Sequence, residues 1–586
     1  MSIPSETYHL NDGVALQLDP TLYTSVSEEL MQSRGIIRDN ETIERSLSRA
    51  ITALLDHDTT LYGTVDFGFQ DDVIKLINKG VLVLGTPILT NAGRPRKAVA
   101  ACTVLPIHTR EGRVDLEQFY YESFNALDNA IGTGYDLSEL DRPATALEEL
   151  NEALNRINAK LLANNQRPVA SMVTLRGDHP DVVNFIRAKR NVDFSEWRLN
   201  TSLFVDSGLF EAAAIDQLWQ LKDHDRKVVG EIPTVELIRE IADCAHYCGE
   251  PGILFKDRID NDNPTPHWPY KSTAPCAEVA MAEGEACQFS YINLGILVNE
   301  LGEFDYNEFG QAVRILTRLL DASVEHTINQ YDNIQLPLVQ EKRRIGVGIT
   351  GFADLLVRLK IAYDEPAAVV IAAQISEALD YHSKAESVEL SKSRGPFPAY
   401  HVSRYLDPEW LRRKYPSSTG IIKHQDWEKL YGDIEKYGIR HSSTTAMPPT
   451  GASSIIVSSS KSLEPHSALT DQHGSLFWSV REAIETTTHL DTQRAMGELS
   501  IANAILSDSS LIELPYLRTA CQIDADAHIA IQAGFQKYLD ESVSKTINLK
   551  NSSTVDDVLS ILWSAYYYRL KGVTVFRDGC LTERSV

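Results

Sequence analysis

Cys276 and Glu278 stand two residues apart behind Pro275 in the stretch Gly249 to Leu294, GEPGILFKDRIDNDNPTPHWPYKSTAPCAEVAMAEGEACQFSYINL, and a second thiol, Cys287, follows eleven residues after the first. On a strand, Cys276 and Glu278 would point to the same side. A thiol beside a carboxylate can share one bound substrate, the sulfur doing redox or radical work and the carboxylate taking a proton. The plainer reading of an isolated C-x-E is a buried structural cysteine next to a solvated glutamate. Elsewhere, Cys102 lies in the strand-like AVAACTVLPI, where a lone cysteine is more often core than catalytic.

Other polar clusters carry less chemistry. Cys244 and Cys248 fall one turn apart in the helical pattern VELIREIADCAHYC, and with His246 facing elsewhere they read as packing rather than a zinc site. Asp178, His179 and Asp181 precede a helical run, a pattern of turn and N-cap chemistry rather than metal ligation. No metal site is expected. The loop Pro449-Thr450-Gly451-Ala452-Ser453-Ser454 leads small residues into an apolar run. Its backbone N–H groups and hydroxyls could hold an anion such as phosphate, the alternative being a Ser/Thr-rich surface loop.

The elements that must position these groups alternate between strand and helix patterns. Residues 1–75 read as an N-terminal helical region. Next come VLVLGTPILTNAG, the glycine turn of AIGTGYDLSEL where the backbone turns or is closely approached, and a helix over 144–165. SMVTLRGDHPDVVNFIRAK runs strand, turn, helix, and the alternation continues through RRIGVGITGFADLLVRL, a long helix from Ala367 to Arg394, TINL, SILWSAYYYRL and GVTVF. No repeat or linker divides them, so the expectation is one large α/β barrel-like domain with helical additions.

Composition bounds the function. The 586 residues are 43% hydrophobic and 23% charged, as in a soluble globular protein. The formal net charge of −25 argues against non-specific nucleic-acid binding, which needs clustered Lys and Arg, while leaving room for a phosphorylated small molecule. No signal peptide or apolar run of the ~18 residues a membrane span needs is visible, so a cytoplasmic location away from membranes is expected. Seven scattered cysteines do not form a secreted disulfide framework.

Taken in order, TPILTNAG, ACTVLP, GTGYDLS, HPDVVNFI, GEPGILFKDRIDNDNP, PC-x-E, CxxxxINLG, RRIGVGITGFADLL, RGPFPAY, PPTGASS, SVSKTINL and LKGVTVFRDG resemble the catalytic subunit of ribonucleotide reductase. The similarity is nearest to the adenosylcobalamin-dependent class II branch. It implies a ten-stranded α/β barrel of two half-barrels over residues 76–579, with a central finger loop, preceded by the helical region 1–75 and followed by a short tail, 580–586. It also implies that Cys276 becomes a thiyl radical that removes the ribose 3′-hydrogen, and that Glu278 takes the 3′-hydroxyl proton. Cys102 and Cys287 would supply the reducing equivalents and end as a disulfide. Thr86 and Thr450, Gly451, Ala452, Ser453 and Ser454 would hold the substrate phosphates, with helix N-termini aimed at them, while Ala101 and Ala274 would also lie against the substrate. The implied partners are a ribonucleoside di- or triphosphate and a thioredoxin-like or small thiol reductant, with the protein a monomer or homodimer.

The chain departs from the family pattern in places. Asn-Pro-Cys-Gly-Glu becomes Ala274-Pro275-Cys276-Ala277-Glu278, removing an amide whose orientation can be worth ~2–4 kcal/mol in a transition state. Phe289 and Tyr291 crowd the second thiol, Ala452 replaces a threonine, Arg440-His441 replaces Arg-Asn, and the effector loop shrinks to Asn165-Gln166-Arg167-Pro168. No ATP-cone motif is visible, and a single Cys580 stands where a terminal cysteine pair is usual. At Thr574-Val575-Phe576 the class I branch has two tyrosines, so a cobalamin-derived radical is the expectation. Three alternatives stay open: a radical enzyme acting on a modified nucleotide, a class I large subunit with a metal-containing radical partner, and an inactive nucleotide-binding relative.

Overall fold

A computed structural model describes residues 15–38, 41–164, 169–190, 192, 197–329, 336–417, 419–471, 473–486 and 514–580. The proposed effector loop, 165–168, and the tail beyond Cys580 lie outside the described residues. Ten strands form one mixed sheet: β1 (Leu82–Leu84), β2 (Cys102–Val104), β3 (Gly132–Asp136), β4 (Ser171–Arg176), β5 (Leu199–Val205), β6 (Gly252–Phe255), β7 (Ala286–Asn293), β8 (Ile345–Thr350), β9 (Thr546–Leu549) and β10 (Gly572–Arg577). Along the sheet the order is β1-β7-β2-β3-β4-β5-β6-β10-β9, and β8 pairs with β7.

Strands β2 to β6 run parallel to one another. Direction reverses at both ends of this set, where β7 meets β2 and β10 meets β6 antiparallel. β7 and β8 are parallel, as are β9 and β10. Two isolated bridges, Val347 with Thr445 and Met447 with Val543, step from β8 across residues 445–447 toward the segment entering β9. Every residue of β6, β7 and β8 is buried. Such runs belong to strands covered on both faces, which is why they read as apolar rather than alternating.

Helices connect the parallel strands: Leu116–Asp128, Pro143–Ala163, Val182–Arg187 and Thr234–Cys248. Asp115 caps the first by accepting the Gln118 N–H, Pro143 opens the second without wasting a donor, and Gly249 ends the last in the left-handed region. Asp181 sits at the N-cap position of Val182–Arg187, but its carboxylate accepts the Ala144 N–H at 3.1 Å. It caps the first turn of Pro143–Ala163 instead of its own helix. Asp178 pairs with Arg176 and Arg226, and His179 bonds the Leu140 carbonyl. No described helix is long and apolar enough to cross a membrane.

The hairpin Ser272–Thr273 with Ala280–Met281 is set against β3. A Cβ at Gly134 would stand 2.2 Å from the Thr273 carbonyl oxygen, and one at Gly132 would stand 2.8 Å from Pro275 Cγ. The two glycines of GTGY are thus what lets one backbone approach another. Ser272 Oγ donates to the Tyr135 carbonyl at 3.1 Å, and Thr174 Oγ1 donates to Ser272 Oγ at 3.1 Å, tying the hairpin to β3 and β4. Replacing Gly134 by Ala should destabilise the protein by about 2–3 kcal/mol in urea unfolding. Gly208→Ala, where nothing lies within 4 Å of the new methyl, should leave the midpoint unchanged or raised.

Candidate active site

The tip of the hairpin, residues 274–279, is a tight turn. Ala274 N–H donates to the Val279 carbonyl at 2.8 Å, and Ala277 N–H donates to the Ala274 carbonyl at 2.9 Å. Ala277 takes a left-handed φ of 64°, a conformation an alanine adopts only under strain. Asn200 of β5 donates from Nδ2 to the Pro275 carbonyl at 2.8 Å and anchors the tip from the far side. Nothing in its sequence flagged Asn200 except its being a polar residue within a strand. The outcome is that Cys276 is exposed while Glu278, two residues on, is 3% exposed.

Cys102 and Cys287 lie directly opposite each other on antiparallel strands β2 and β7. Such pairs have Cα atoms about 4.5–5.5 Å apart, within the range a disulfide spans. The same hypothetical Cβ at Gly132 that meets Pro275 would stand 3.4 Å from Cys102 Sγ, so this sulfur lies beneath the turn carrying Cys276. Burial pushes the Cys102 thiol well up, and Glu278, Cys276 and Cys287 add to the effect. The Cys287 thiol is likewise raised by burial, against the pull of Arg344. Both are therefore protonated thiols at neutral pH.

Glu278 is pushed up to about 7 by burial, which outweighs the hydrogen bonds from the Cys276 and Glu278 amides. Its Oε2 is buried without a hydrogen-bond partner. A carboxyl that titrates near neutrality and keeps an open acceptor position is suited to taking a proton from a ligand.

These groups open on one large cleft of about 2530 Å³ lined by Thr86, Ala101, Cys102, Cys276, Glu278 and Tyr291, and by Thr450, Gly451 and Ala452 at the start of the helix Gly451–Ile456. Of the other residues expected at the site, Cys287 and Ala274 are fully buried and stand behind its wall, as do Ser453 and Ser454. The first turns of the helices Thr86–Asn91 and Gly451–Ile456 meet: Thr86 and Ser453 share a hydroxyl hydrogen bond of 3.2 Å, and Thr450 Oγ1 accepts the Ser462 N–H at 2.9 Å. Gly85 lets the first of these helices sit on β7, where a Cβ would stand 2.1 Å from the Phe289 carbonyl oxygen. Lys461, Arg34 and Arg198 also line the cleft, a local concentration of positive charge on a protein of net charge −25.

Behind the thiols lies a buried ion cluster that the motif RRIGVG did not reveal. Arg344 binds Glu285 at 2.5 Å, Glu541, and the Tyr270 hydroxyl at 2.8 Å, and Lys342 reaches Glu285 at 2.7 Å. It ties the start of β7 to the start of β8 and to the segment before β9. With all members at or below 4% exposed, loss of one partner would strand a buried charge.

A family model described as "Ribonucleotide reductase, barrel domain" matches residues 100–576. The vitamin B12-dependent ribonucleoside-diphosphate reductase of Thermoplasma acidophilum is 28% identical over 524 residues, covering 85% of this chain and 64% of its own. That of Mycobacterium tuberculosis is 27% identical over 526 residues, covering 84% and 70%. The ribonucleoside-diphosphate reductase large chain of Encephalitozoon cuniculi is 24% identical over 629 residues, covering 94% and 77%. The chain thus spans a little under two thirds of the first of these relatives.

The raised Glu278 pKa has a consequence for stability. A carboxyl at about 7 when folded and near 4.5 when unfolded binds its proton more tightly in the folded state. Its contribution is therefore present at low pH and lost as pH rises from about 4.5 through 7. Glu278→Gln should be as stable as the parent near or below pH 4 and more stable by roughly 3 kcal/mol at pH 8, read as the difference between urea unfolding curves.

Proposed function

The chain belongs to the ribonucleotide reductase family through its barrel domain, and on that premise we propose that it reduces ribonucleotides to 2′-deoxyribonucleotides by a thiyl-radical mechanism. The observation that carries the reading is the convergence on one cleft of Cys276, Cys102 and Glu278, whose Oε2 is an open acceptor, with Cys287 paired behind Cys102. In its thiyl form Cys276 takes the hydrogen from ribose C3′. Glu278 accepts the 3′-hydroxyl proton as the 2′-hydroxyl leaves as water with a proton from the thiol pair. Cys102 and Cys287 supply the second hydrogen to C2′ and two electrons in all, becoming a disulfide; Glu278 returns its proton to the 3′-oxygen, and Cys276 returns its hydrogen atom to C3′. Two thiols are consumed and one is regenerated, so each turnover needs an external thioredoxin-like or small thiol reductant.

Substrate phosphates, two or three in number, would rest on Thr86 and on Thr450, Gly451 and Ala452 at the start of the helix Gly451–Ile456, with Ser453 behind them holding Thr86. Direction reversals at both ends of the five parallel strands, and the bridges from β8 toward β9, support a closed barrel of two half-barrels with the hairpin 272–281 as its finger loop.

Adenosylcobalamin fits as the radical source. Ligand sites commonly occupy about 300–1,000 Å³, so a cleft of about 2530 Å³ leaves room for a second large group beside a nucleotide. The wall containing Thr574, Val575 and Phe576, which offers no phenol for radical transfer, would face it. When bound, this cofactor supplies the initiating radical. The Thermoplasma and Mycobacterium relatives are vitamin B12-dependent reductases, which supports the same choice.

Anaerobic incubation with adenosylcobalamin, a dithiol and each ribonucleoside di- and triphosphate should yield a deoxynucleotide, at a rate that rises with pH through about 7 as Glu278 ionises. Absence of both deoxynucleotide and cobalamin cleavage would overturn the reading. Cys276→Ala should lower turnover by about 10³-fold or more, whereas Cys102→Ser should still cleave the cofactor and fail to complete reduction.

A further inference from the structure

Alternate residues of a strand share a face, so the side of β7 that carries Cys287 also carries Phe289 and Tyr291. Phe289 and Tyr291 are in register with Gly346 and Gly348 of β8. A Cβ at Gly346 would stand 2.4 Å from Phe289 Cδ1, and one at Gly348 would stand 3.1 Å from Tyr291 Cδ1. Each ring therefore lies over a glycine of the neighbouring strand, which sets its position through packing alone.

Tyr291 lines the cleft together with Cys102, Cys276 and Glu278. It is 6% exposed, and its phenol has no hydrogen-bond partner among the described residues. The ring is buried but the phenol oxygen is not sealed off, so it faces the cleft, where a phenol at the edge of a buried ring is placed to donate to a ligand. Burial, with Glu278 and the thiols nearby, raises its pKa, so the phenol is a neutral donor at every working pH. The same cleft therefore holds a donor without an acceptor, Tyr291, and an acceptor without a donor, Glu278 Oε2. A hydroxyl complements that pair, since one oxygen can accept from the first while its hydrogen is given to the second.

We infer that the Tyr291 phenol donates a hydrogen bond to the same ribose 3′-oxygen whose proton Glu278 accepts, which makes Tyr291 a substrate-positioning group. This rests on the cleft being a ribonucleotide site. A site built around a substrate hydroxyl discriminates against an analogue lacking it, because its own polar groups are then left unpaired.

The test is calorimetric titration of the full chain and of Tyr291→Phe. The probes are whichever common ribonucleoside di- or triphosphate binds the unmodified protein most tightly, and its 3′-deoxy and 2′-deoxy counterparts. Tyr291→Phe keeps the ring over Gly348, so the fold should persist, and circular dichroism checks that it does. The expected result is that the preference for the ribonucleotide over its 3′-deoxy analogue falls by about 5- to 10-fold in Tyr291→Phe, with the preference over the 2′-deoxy analogue unchanged. A general packing defect would weaken all three ligands alike. Nucleotide binding with an unaltered 3′-deoxy preference would overturn the role of Tyr291 and leave the ribonucleotide reading standing. Failure of the unmodified protein to bind any of the nucleotides would overturn both.

Discussion

The hairpin 272–281 approaches β3 more closely than side chains normally allow, and the rest of the site depends on that approach. A backbone carbonyl at Thr273 faces Gly134, and the ring of Pro275 faces Gly132. Had either position carried a Cβ, the turn would be displaced by an ångström or more, enough to carry the Cys276 side chain out of reach of a group in the cleft. Ser272, Thr174 and Asn200 then hold the hairpin by hydrogen bonds from three sides. Cys276 is presented to the cleft and Cys102 lies below it because one glycine strand leaves space for both.

Electrostatics divides the labour among groups of similar acidity. Desolvation acts on all the buried acids, yet its result differs with the partners available. Glu285 is held below its usual range by Arg344 and Lys342, whereas Glu278, which has only backbone amides to support its charge, moves to about 7. Two buried glutamates seven residues apart in sequence therefore take opposite roles, one a permanent anion in a structural ion cluster and the other a group that can exchange a proton. The Cys102 and Cys287 thiols move in the opposite sense to a catalytic thiolate: burial keeps them protonated.

Much of this was legible in the chain. Strand and helix order follow from hydrophobic patterning; GTGY, expected to be a glycine turn or a place of close backbone approach, is not a turn but the start of β3, and the hairpin contact bears out only the close approach. The helix expected over 144–165 spans Pro143–Ala163, and that expected from Ala367 spans Pro366–Arg394. Asp181 was read as an N-cap and is one by position only, because its carboxylate is nearer an amide of another helix. Asn200 and the cluster around Arg344 carry no local signal, since each acts on residues more than 50 positions away in sequence, whereas Tyr291 stands out in the sequence only as an aromatic crowding the second thiol.

What the sequence by itself determined was which chemical groups exist and in what order along the chain: thiols at 102, 276 and 287, a carboxylate at 278, and small residues where backbone must pass backbone. Those follow from residue type; the strand period expected to align Cys276 and Glu278 does not apply, because both sit in a tight turn. Only the tertiary structure decided that Cys102 and Cys287 face each other across two strands, that Ala274 is sealed behind the turn while Tyr291 reaches the cleft, and that Glu278 rather than Glu285 titrates near neutrality. Each of these depends on strand register and on the dielectric surroundings that packing creates, and neither quantity is a property of any local stretch of chain.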